Sequence, residues 1–396
     1  MPLDFSSRTL LQVIPKLIGG GAERTTLEVA RAFRKAGGRS IVVSSGGPMT
    51  AELEADGSEH VTMPVDSKNP LLIAQNGRDL AAFVAREGVS VIHARSRAPA
   101  WSCLLAARRT GCPFVTTYHG AYRARSAPKR FYNSVMVRSD AIIANSGFTA
   151  RAIRAEYHGR RFFDAARMTT IPRGADLGRF DPAAVPAAAV DAARALFGDG
   201  LRVLMPGRFT PWKGQRVAVE AAACLARDRP DIPLRLLMIG RMDEKPAYVD
   251  ELRDVIGRDG IADRVSLHDA ADDIAPVLFA ADLVLSASTQ PEAFGRVAVE
   301  AQAAGRPIIA TAHGGSMETV IDGETGLLVP PGDANALASA VAKLHDQGAG
   351  GRDAMGTRGM KHARSRFSIE AMTRATLTVY GGILERWEAR GEGQGS

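Results

Sequence analysis

Short apolar runs alternate with stretches of helical spacing along most of the chain. Apolar and β-branched runs predict buried strands, and apolar residues that recur every three to four positions predict amphipathic helices. The predicted strands are 9–14, 40–45, 60–65, 89–93, 113–118, 140–145 and 168–171 in the first half, and 201–205, 234–240, 265–268, 281–287, 307–311 and 326–329 in the second. The clearest predicted helices are 72–86, 100–109 and 369–387.

The regular alternation of strand and helix predicts an α/β protein with parallel sheets. A stretch rich in alanine and proline at 181–190 interrupts this alternation and has the composition of a linker. We therefore expect two doubly wound domains, at 1–185 and 186–366. The helix within 367–390 is expected to pack back on the first domain, and the glycine-rich tail at 391–396 is expected to be disordered.

Composition narrows the class of protein. The 396 residues are 45% hydrophobic and 23% charged, which is typical of a soluble globular chain. No apolar run is long enough to span a bilayer, and the first residues lack the pattern of a secretory signal. Three scattered cysteines without metal-binding spacing favour reduced thiols in the cytoplasm. The net charge of +7 favours an anionic partner, and on charge alone nucleic acid, an acidic membrane surface and a phosphorylated substrate all remain open.

The segment 291–300 carries the strongest candidate chemistry. It follows the apolar run 281–287 and leads into helical spacing, so Glu292 is predicted in a loop and Glu300 about two turns later. The backbone N–H groups of Phe294 and Gly295 lie between these two acceptors, at a predicted helix start that suits an anion. A nucleotide sugar has hydroxyls at both ends and phosphate between them. The alternative is that both glutamates are solvated or cap the helix.

Two cations in the loop after strand 201–205 are candidates for a diphosphate clamp. Arg208 and Lys213 are five positions apart, and Lys213 lies near a helix start, where the dipole disfavours a cation. That placement favours a functional explanation over ordinary surface charge.

The first half offers weaker candidates. Gly20 and Gly21 follow the first predicted strand and allow a ligand to approach the backbone, although a plain turn explains them equally well. His119 ends the predicted strand 113–118, at the sheet edge where ligands of α/β proteins collect. The alternative for His119 is a core histidine whose hydrogen bonds are satisfied.

The segment 122–132 interleaves four cations, Arg123, Arg125, Lys129 and Arg130, with three aromatic residues. This composition suits an anionic membrane surface, where each cation contributes about 1 kcal/mol. A solvated loop is the alternative.

Taken together, four motifs resemble family-4 retaining glycosyltransferases of the GT-B fold. They are Gly20-Gly21-Ala22-Glu23, Gly207-Arg208 with Lys213-Gly214, Pro291-Glu292-Ala293-Phe294-Gly295 with Glu300, and the stretch from Gly314-Gly315 to Gly326-Leu327-Leu328-Val329. The resemblance implies two Rossmann-like doubly wound domains that face a central cleft. It also implies hexose transfer from a UDP- or GDP-linked sugar as co-substrate, with no cofactor and no metal.

The same resemblance implies a role for each matching residue. Arg208 and Lys213 would hold the donor diphosphate, Glu300 the ribose, and Glu292 the sugar hydroxyls, with His119 beside the reacting sugar. We expect catalysis to involve His119, Arg208, Lys213 and Glu292. Donor binding is expected from Gly20, Gly21, Arg208, Lys213, Arg241, Phe294, Gly295, Arg296 and Glu300.

Within this family, the segments 93–97 and 123–130 are similar to bacterial lipopolysaccharide core transferases. This similarity implies a lipid-linked saccharide acceptor and a cytoplasmic enzyme held peripherally at the inner face of the cytoplasmic membrane. The residues expected to contact the acceptor or membrane are Arg95, Arg97, Arg123, Arg125, Lys129 and Arg130. One departure is Arg173, which stands where many members carry asparagine, while Asp176 of the same loop is retained.

Three alternatives remain from the sequence. A GT-B epimerase or hydrolase of nucleotide sugars would need no acceptor. A nucleic-acid-binding protein is favoured by charge alone, since no recognisable nucleic-acid motif is present. A catalytically inactive membrane scaffold is disfavoured because both candidate cations and both glutamates are present.

Overall fold

The computed structural model describes residues 4–120, 122, 124 and 126–392. The chain divides into two compact units, one comprising Met1–Gly174 with Ile369–Ser396 and the other Ala175–Ser368. The division falls after Gly174, whereas the sequence placed it after residue 185. The reason is packing, because Phe180 belongs to the core of the second unit. The predicted linker is also partly helical, since a helix begins at Ala187.

The first unit is built on a parallel sheet whose seven strands lie in the order β3-β2-β1-β4-β5-β6-β7. The strands are β1 Thr9–Val13, β2 Arg39–Ser44, β3 Glu59–Thr62, β4 Val91–Ala94, β5 Phe114–Tyr118, β6 Ala141–Ala144 and β7 Met168–Thr170. The helices between them are α1 Gly21–Lys35, α2 Thr50–Ala55, α3 Pro70–Arg86, α4 Arg97–Thr110, α5 Ala127–Asn133 and α6 Gly147–Tyr157. Every residue of β1 is buried, as expected when helices cover both faces of a parallel sheet.

The second unit repeats this architecture with six parallel strands in the order β10-β9-β8-β11-β12-β13. The strands are β8 Leu201–Pro206, β9 Leu234–Ile239, β10 Val265–His268, β11 Leu283–Ser286, β12 Ile308–Thr311 and β13 Gly326–Val329. The helices are α7 Ala187–Ala195, α8 Gln215–Asp228, α9 Pro246–Arg258, α10 Ala275–Ala280, α11 Arg296–Ala303, α12 Ser316–Thr319, α13 Ala334–Asp346 and α14 Gly348–Arg366. The predicted α/β class with two doubly wound domains is confirmed.

The last helix, α15 at Ile369–Glu392, belongs to the first unit. Its Met372, Tyr380 and Leu384 share a buried cluster with Phe33 of α1. Of the tail expected to be disordered, Gly391 and Glu392 lie in this helix, and 393–396 lie outside the described residues. Among the helices of the described chain, none is long and apolar enough to cross a bilayer.

Helix α14 was not predicted, because its sequence is rich in glycine, a poor helix former. Its glycines allow close packing on α11 and the turn that follows it. A Cβ added at Gly356 would lie 1.9 Å from the carbonyl oxygen of Gly305, and one at Gly359 would lie 3.0 Å from the Gln302 side chain. Tertiary packing thus decides this helix, not local propensity.

This packing predicts opposite effects for two glycines of the same helix. Gly356→Ala should destabilise the protein by about 2 kcal/mol or more, because backbone cannot move aside cheaply. Gly350→Ala should stabilise it by about 0.5–1 kcal/mol, since nothing lies within 4 Å of a Cβ there and alanine favours the helix. Melting temperatures of both variants test this. A Gly356→Ala protein as stable as the Gly350→Ala protein would contradict it.

Candidate active site

The second sheet reverses its strand order between β8 and β11. These strands pair directly, with Leu283 opposite Val203, although β9 and β10 separate them in sequence. The loops that follow their carboxyl ends therefore start side by side and lead into helices on opposite faces of the sheet. Such a switch point is where open α/β sheets bind ligands. The two strongest candidate motifs, 207–214 and 288–295, are these two loops.

A glycine brings the two loops into contact. Gly214 adopts a left-handed conformation with φ of 80°, and a Cβ there would lie 1.9 Å from the carbonyl oxygen of Ala287. Only glycine fits this close approach and this backbone conformation. Lys213, immediately before it, is thereby held beside the loop that follows β11.

Lys213 and Glu292 form an ion pair with 2.8 Å between Nζ and Oε1. Their side chains are only 15% and 13% exposed, and the Ser288 hydroxyl donates to the same Oε1 at 2.5 Å. The Lys213 ammonium also lies 4.7 Å from the centre of the Trp212 ring. The structure thus brings together two residues that the sequence separates by 79 positions. Ser288 and Trp212 are partners that sequence analysis did not assign.

Arg208 differs from Lys213 in being exposed. No ion pair of its side chain is found within the described chain, while its backbone oxygen accepts from Gln215 at 2.8 Å. Burial of the neighbouring Phe209 anchors the loop. An exposed guanidinium on an anchored loop at the switch point is available to an anionic group.

The loop 291–295 is held from behind by the turn after β12. The Gly315 N–H donates to the Glu292 carbonyl oxygen at 2.8 Å, and a Cβ at Gly314 would lie 2.4 Å from that oxygen. Gly295 then takes φ of 83° at the start of α11, and Phe294 is buried against Phe367. The loop conformation is therefore fixed by packing on its inner side.

Glu300 lies on α11, where its Oε1 accepts from Arg296 Nε at 2.6 Å. Its side chain is 13% exposed, whereas that of Arg296 is 59% exposed. Because α11 begins at Arg296, Glu292 precedes the helix, in the loop where the sequence placed it, and Glu300 lies within the helix. Arg241, the other predicted donor residue, pairs at the surface with Asp243 at 3.0 Å and with Glu244 at 3.7 Å.

The turn after β12 also holds a residue that sequence analysis passed over. Both ring nitrogens of His313 are buried without a hydrogen-bond partner among the described residues. His313 directly precedes the two glycines that support the Glu292 loop. Its position at the end of a strand was the signal that could have identified it.

In the first unit, Gly21 and His119 share a neighbour, Arg173. A Cβ at Gly21 would lie 2.0 Å from Nη1 of Arg173, so the guanidinium lies directly on this glycine at the start of α1. His119 has a buried Nε2 without a partner in the described chain. Burial, together with the charges of Arg95 and Arg173, lowers the pKa of His119 well below its usual value. The residue that departs from the family pattern therefore lies close to two predicted site residues.

The structure corrects the assignment of Arg95. Its side chain is 2% exposed and donates to Gln12 Oε1 at 2.6 and 2.9 Å, so it is not accessible to a membrane surface. Neighbouring His93 is likewise buried, with Nδ1 2.5 Å from the Tyr380 hydroxyl and Nε2 2.7 Å from that of Thr117. The segment 93–95 is therefore internal.

The other predicted acceptor or membrane cations are more accessible. Arg97 donates to Asn133 at 3.0 Å and stacks 4.1 Å from the Tyr122 ring centre. Lys129 is exposed, and Arg130 pairs with Glu156 at 2.6 Å. Arg123 and Arg125 lie outside the described residues.

The described part of the chain contains no cluster of three histidine, cysteine or acidic side chains arranged to hold a metal. All three cysteines are free thiols, with Cys103 and Cys112 buried and Cys224 partly exposed. Burial raises the pKa of Cys112 to about 12, so this thiol stays protonated.

Fully buried His93 and partly buried His119 predict that the first unit is sensitive to acid. Burial lowers the pKa of both His93 and His119 below 6.5 in the folded state, so the unfolded chain binds more protons there. Stability is therefore complete above pH 6.5 and is lost as the pH falls below it, by up to about 1.4 kcal/mol per pH unit for each histidine.

Melting temperatures between pH 7.5 and 5 measure this loss. His119→Gln should make the pH dependence shallower, whereas His158→Gln, at an exposed position, should leave it unchanged. Equal pH dependence in the wild type and the His119→Gln variant would show that this histidine is not responsible.

Sequence comparison gives the family. Residues 19–179 match the model described as Glycosyltransferase Family 4, and residues 200–347 match Glycosyl transferases group 1. A D-inositol 3-phosphate glycosyltransferase of Actinosynnema mirum is 32% identical over 294 residues, which cover 70% of this chain and 68% of that protein. Its namesake in Xylanimonas cellulosilytica is 33% identical over 306 residues, covering 72% and 70%.

Solved structures of glycosyltransferases share the fold over most of the chain. A glycosyltransferase from Rickettsia africae is 32% identical with a TM-score of 0.85, covering 95% of this chain and 98% of that one. Anabaena HepE in complex with UDP is 22% identical with a TM-score of 0.80, covering 95% and 100%. WaaG, a glycosyltransferase involved in lipopolysaccharide biosynthesis, is 17% identical with a TM-score of 0.66, covering 93% and 99%. At these lower identities the last two show the shared fold alone.

The two parallel sheets, the loops at their switch points and the similarity along most of the chain lead to one conclusion. The protein belongs to glycosyltransferase family 4, whose GT-B enzymes use nucleotide sugars and are generally retaining and independent of metal ions.

Proposed function

We propose that this enzyme transfers a hexose, with retention, from a nucleoside diphosphate sugar to a lipid-linked saccharide in cell-envelope glycan synthesis, such as that of the lipopolysaccharide core. The observation that carries the donor part is the group of Lys213, Glu292 and exposed Arg208 at the switch point of the second sheet. It supplies two cations and one hydroxyl acceptor within two adjoining loops.

The charges of this group suit the chemistry of the transfer. As the glycosidic bond breaks, negative charge develops on the departing diphosphate. Arg208 and Lys213 stabilise it in place of a metal ion, and preorganised donors of this kind commonly make the largest catalytic contribution. Glu292 accepts hydrogen bonds from the sugar hydroxyls, and Glu300 accepts from the ribose.

The proposal of a membrane-bound acceptor is supported by positively charged residues of the first unit. The segment around α5 presents Lys129 and Arg130 beside exposed Phe131, a combination suited to an anionic membrane surface. We propose that the enzyme acts in the cytoplasm, bound peripherally at the inner face of the cytoplasmic membrane.

A second candidate acceptor follows from the relatives. Several that are at least 30% identical are named D-inositol 3-phosphate glycosyltransferases, which favours a soluble phosphorylated polyol. The two candidates share a donor site and differ in whether lipid is required.

An assay that uses a panel of UDP- and GDP-hexoses as donors, with different acceptors, distinguishes the two candidates. Release of nucleoside diphosphate is measured in EDTA with a lipid-linked saccharide extract, with inositol phosphate, or with no acceptor. We expect release only with the lipid extract. Release only with inositol phosphate would establish the second candidate instead, and equal release without any acceptor would indicate a hydrolase or epimerase.

Arg208→Ala should lower turnover by about 100-fold or more, because one donor to the developing charge is lost. The matched control is Arg253→Ala, which removes an exposed arginine of α9 that pairs with Asp250. It should leave turnover within about twofold. Near-normal turnover in the Arg208→Ala enzyme would remove Arg208 from the proposed catalytic group.

A further inference from the structure

The first unit contains a small pocket that none of the proposed donor residues lines. It lies between α5 and the end of α6, has a volume of about 210 Å³ and opens to solvent. Its lining combines three arginines with aromatic and small residues: Ala127, Arg130, Phe131, Ser134, Arg138, Tyr157, Arg160 and Phe162. Of these eight, the sequence analysis had singled out Arg130 and, as one of the three aromatic residues of segment 122–132, Phe131.

The charges of the pocket are unbalanced. Arg130 is paired with Glu156 at 2.6 Å, but neither Arg138 nor Arg160 has a carboxylate partner within the described chain. Arg138 donates only to the Ser134 hydroxyl, at 3.1 Å, and stacks 4.1 Å from the Phe162 ring centre. Burial, with the charge of Arg108, lowers its pKa, as expected for a cation that lacks a counterion. An anion in the pocket would supply that counterion.

A buried hydroxyl provides an independent indication of a ligand. Tyr157 is 2% exposed, and its hydroxyl lies next to that of Tyr118, but neither hydroxyl makes an aligned hydrogen bond in the described part of the chain. Leaving such a group without a partner costs about 1–3 kcal/mol. Because Tyr157 lines the pocket, a ligand oxygen there could accept its hydrogen bond.

The rim of the pocket is apolar on one side. Phe131 is 62% exposed, although its ring also packs 5.2 Å from that of Trp101. An exposed aromatic ring next to unpaired arginines is the arrangement found where proteins meet the headgroup layer of a membrane. A free anion in solution would not contact the exposed ring of Phe131.

We propose that this pocket binds the phosphate of an anionic phospholipid, with Phe131 lying against the adjoining acyl chains. Arg138 and Arg160 supply the positive charge, and the Tyr157 hydroxyl donates to a phosphate oxygen. The inference rests on the proposed peripheral membrane location and gives it a defined lipid site, which loop cations alone would not provide.

Short-chain phosphatidylglycerol, kept below its critical micelle concentration, tests for a defined site without a bilayer. Calorimetric titration should give saturable binding with one lipid per chain. Tyr157→Phe keeps the ring and removes only the hydroxyl, and should weaken binding about tenfold. Arg160→Gln should weaken it about fivefold. Arg364→Gln, which removes an exposed charge in the second unit, should change nothing.

Binding to vesicles distinguishes a phospholipid ligand from other sources of phosphate. Sedimentation with phosphatidylglycerol vesicles should exceed that with phosphatidylcholine vesicles, and Phe131→Ala should reduce it at unchanged protein charge. Inorganic phosphate at the same concentration as lipid phosphate should not compete. Competition by phosphate would overturn the lipid assignment in favour of a free anion, and wild-type binding by both the Tyr157→Phe and Arg160→Gln proteins would remove the site altogether.

These measurements are independent of catalysis. They contain no nucleotide sugar, so lipid binding can be observed even if the proposed transfer reaction is wrong. Conversely, turnover with detergent-dispersed acceptor reports the reaction without a bilayer. Lipid binding without turnover would therefore show that the proposed transfer reaction is wrong, and turnover without lipid binding would show that the proposed lipid site is wrong.

Discussion

The close contact between Gly214 and the carbonyl of Ala287 is the constraint on which the candidate donor site depends. Without it, the loops after β8 and β11 would stand apart, and Lys213 would not reach Glu292. The contact is possible because the strand order reverses between these two strands, which places both loop starts at one sheet edge. A side chain at position 214 would separate the loops whatever residues they carried.

The Lys213–Glu292 ion pair is mostly shielded from water, which limits its net contribution to the free energy of unfolding. Removing two charges from water is costly, and their mutual attraction only partly offsets that cost. Such a pair contributes little net stability, but loss of one partner leaves the other as an unpaired charge. The Ser288 hydroxyl and the Trp212 ring provide further favourable contacts on either side. A phosphate or sugar hydroxyl that replaces part of this network meets groups already held in position.

The fold, and the position of the two candidate loops directly after strands, could be predicted from sequence because both depend on short-range pattern. Alternating apolar runs and helical spacing located the strands of both sheets. Failures arose where distant residues decide the outcome. Arg95 looks like a surface cation until Gln12 is found beside it, and α14 looks like a loop until its glycines are seen against Gly305. Likewise, no local sequence pattern predicts that the Arg173 side chain lies over Gly21.

The first unit is assembled from both ends of the sequence, which bears on how the chain is made. Residues 175–368 are continuous, whereas the first sheet lacks α15 until residues 369–392 have been synthesised. Until then Phe33 lacks the covering that Tyr380 provides, and His93 lacks its hydrogen bond to that hydroxyl. While the second unit is being translated, therefore, the apolar surface that α15 later covers is without that cover.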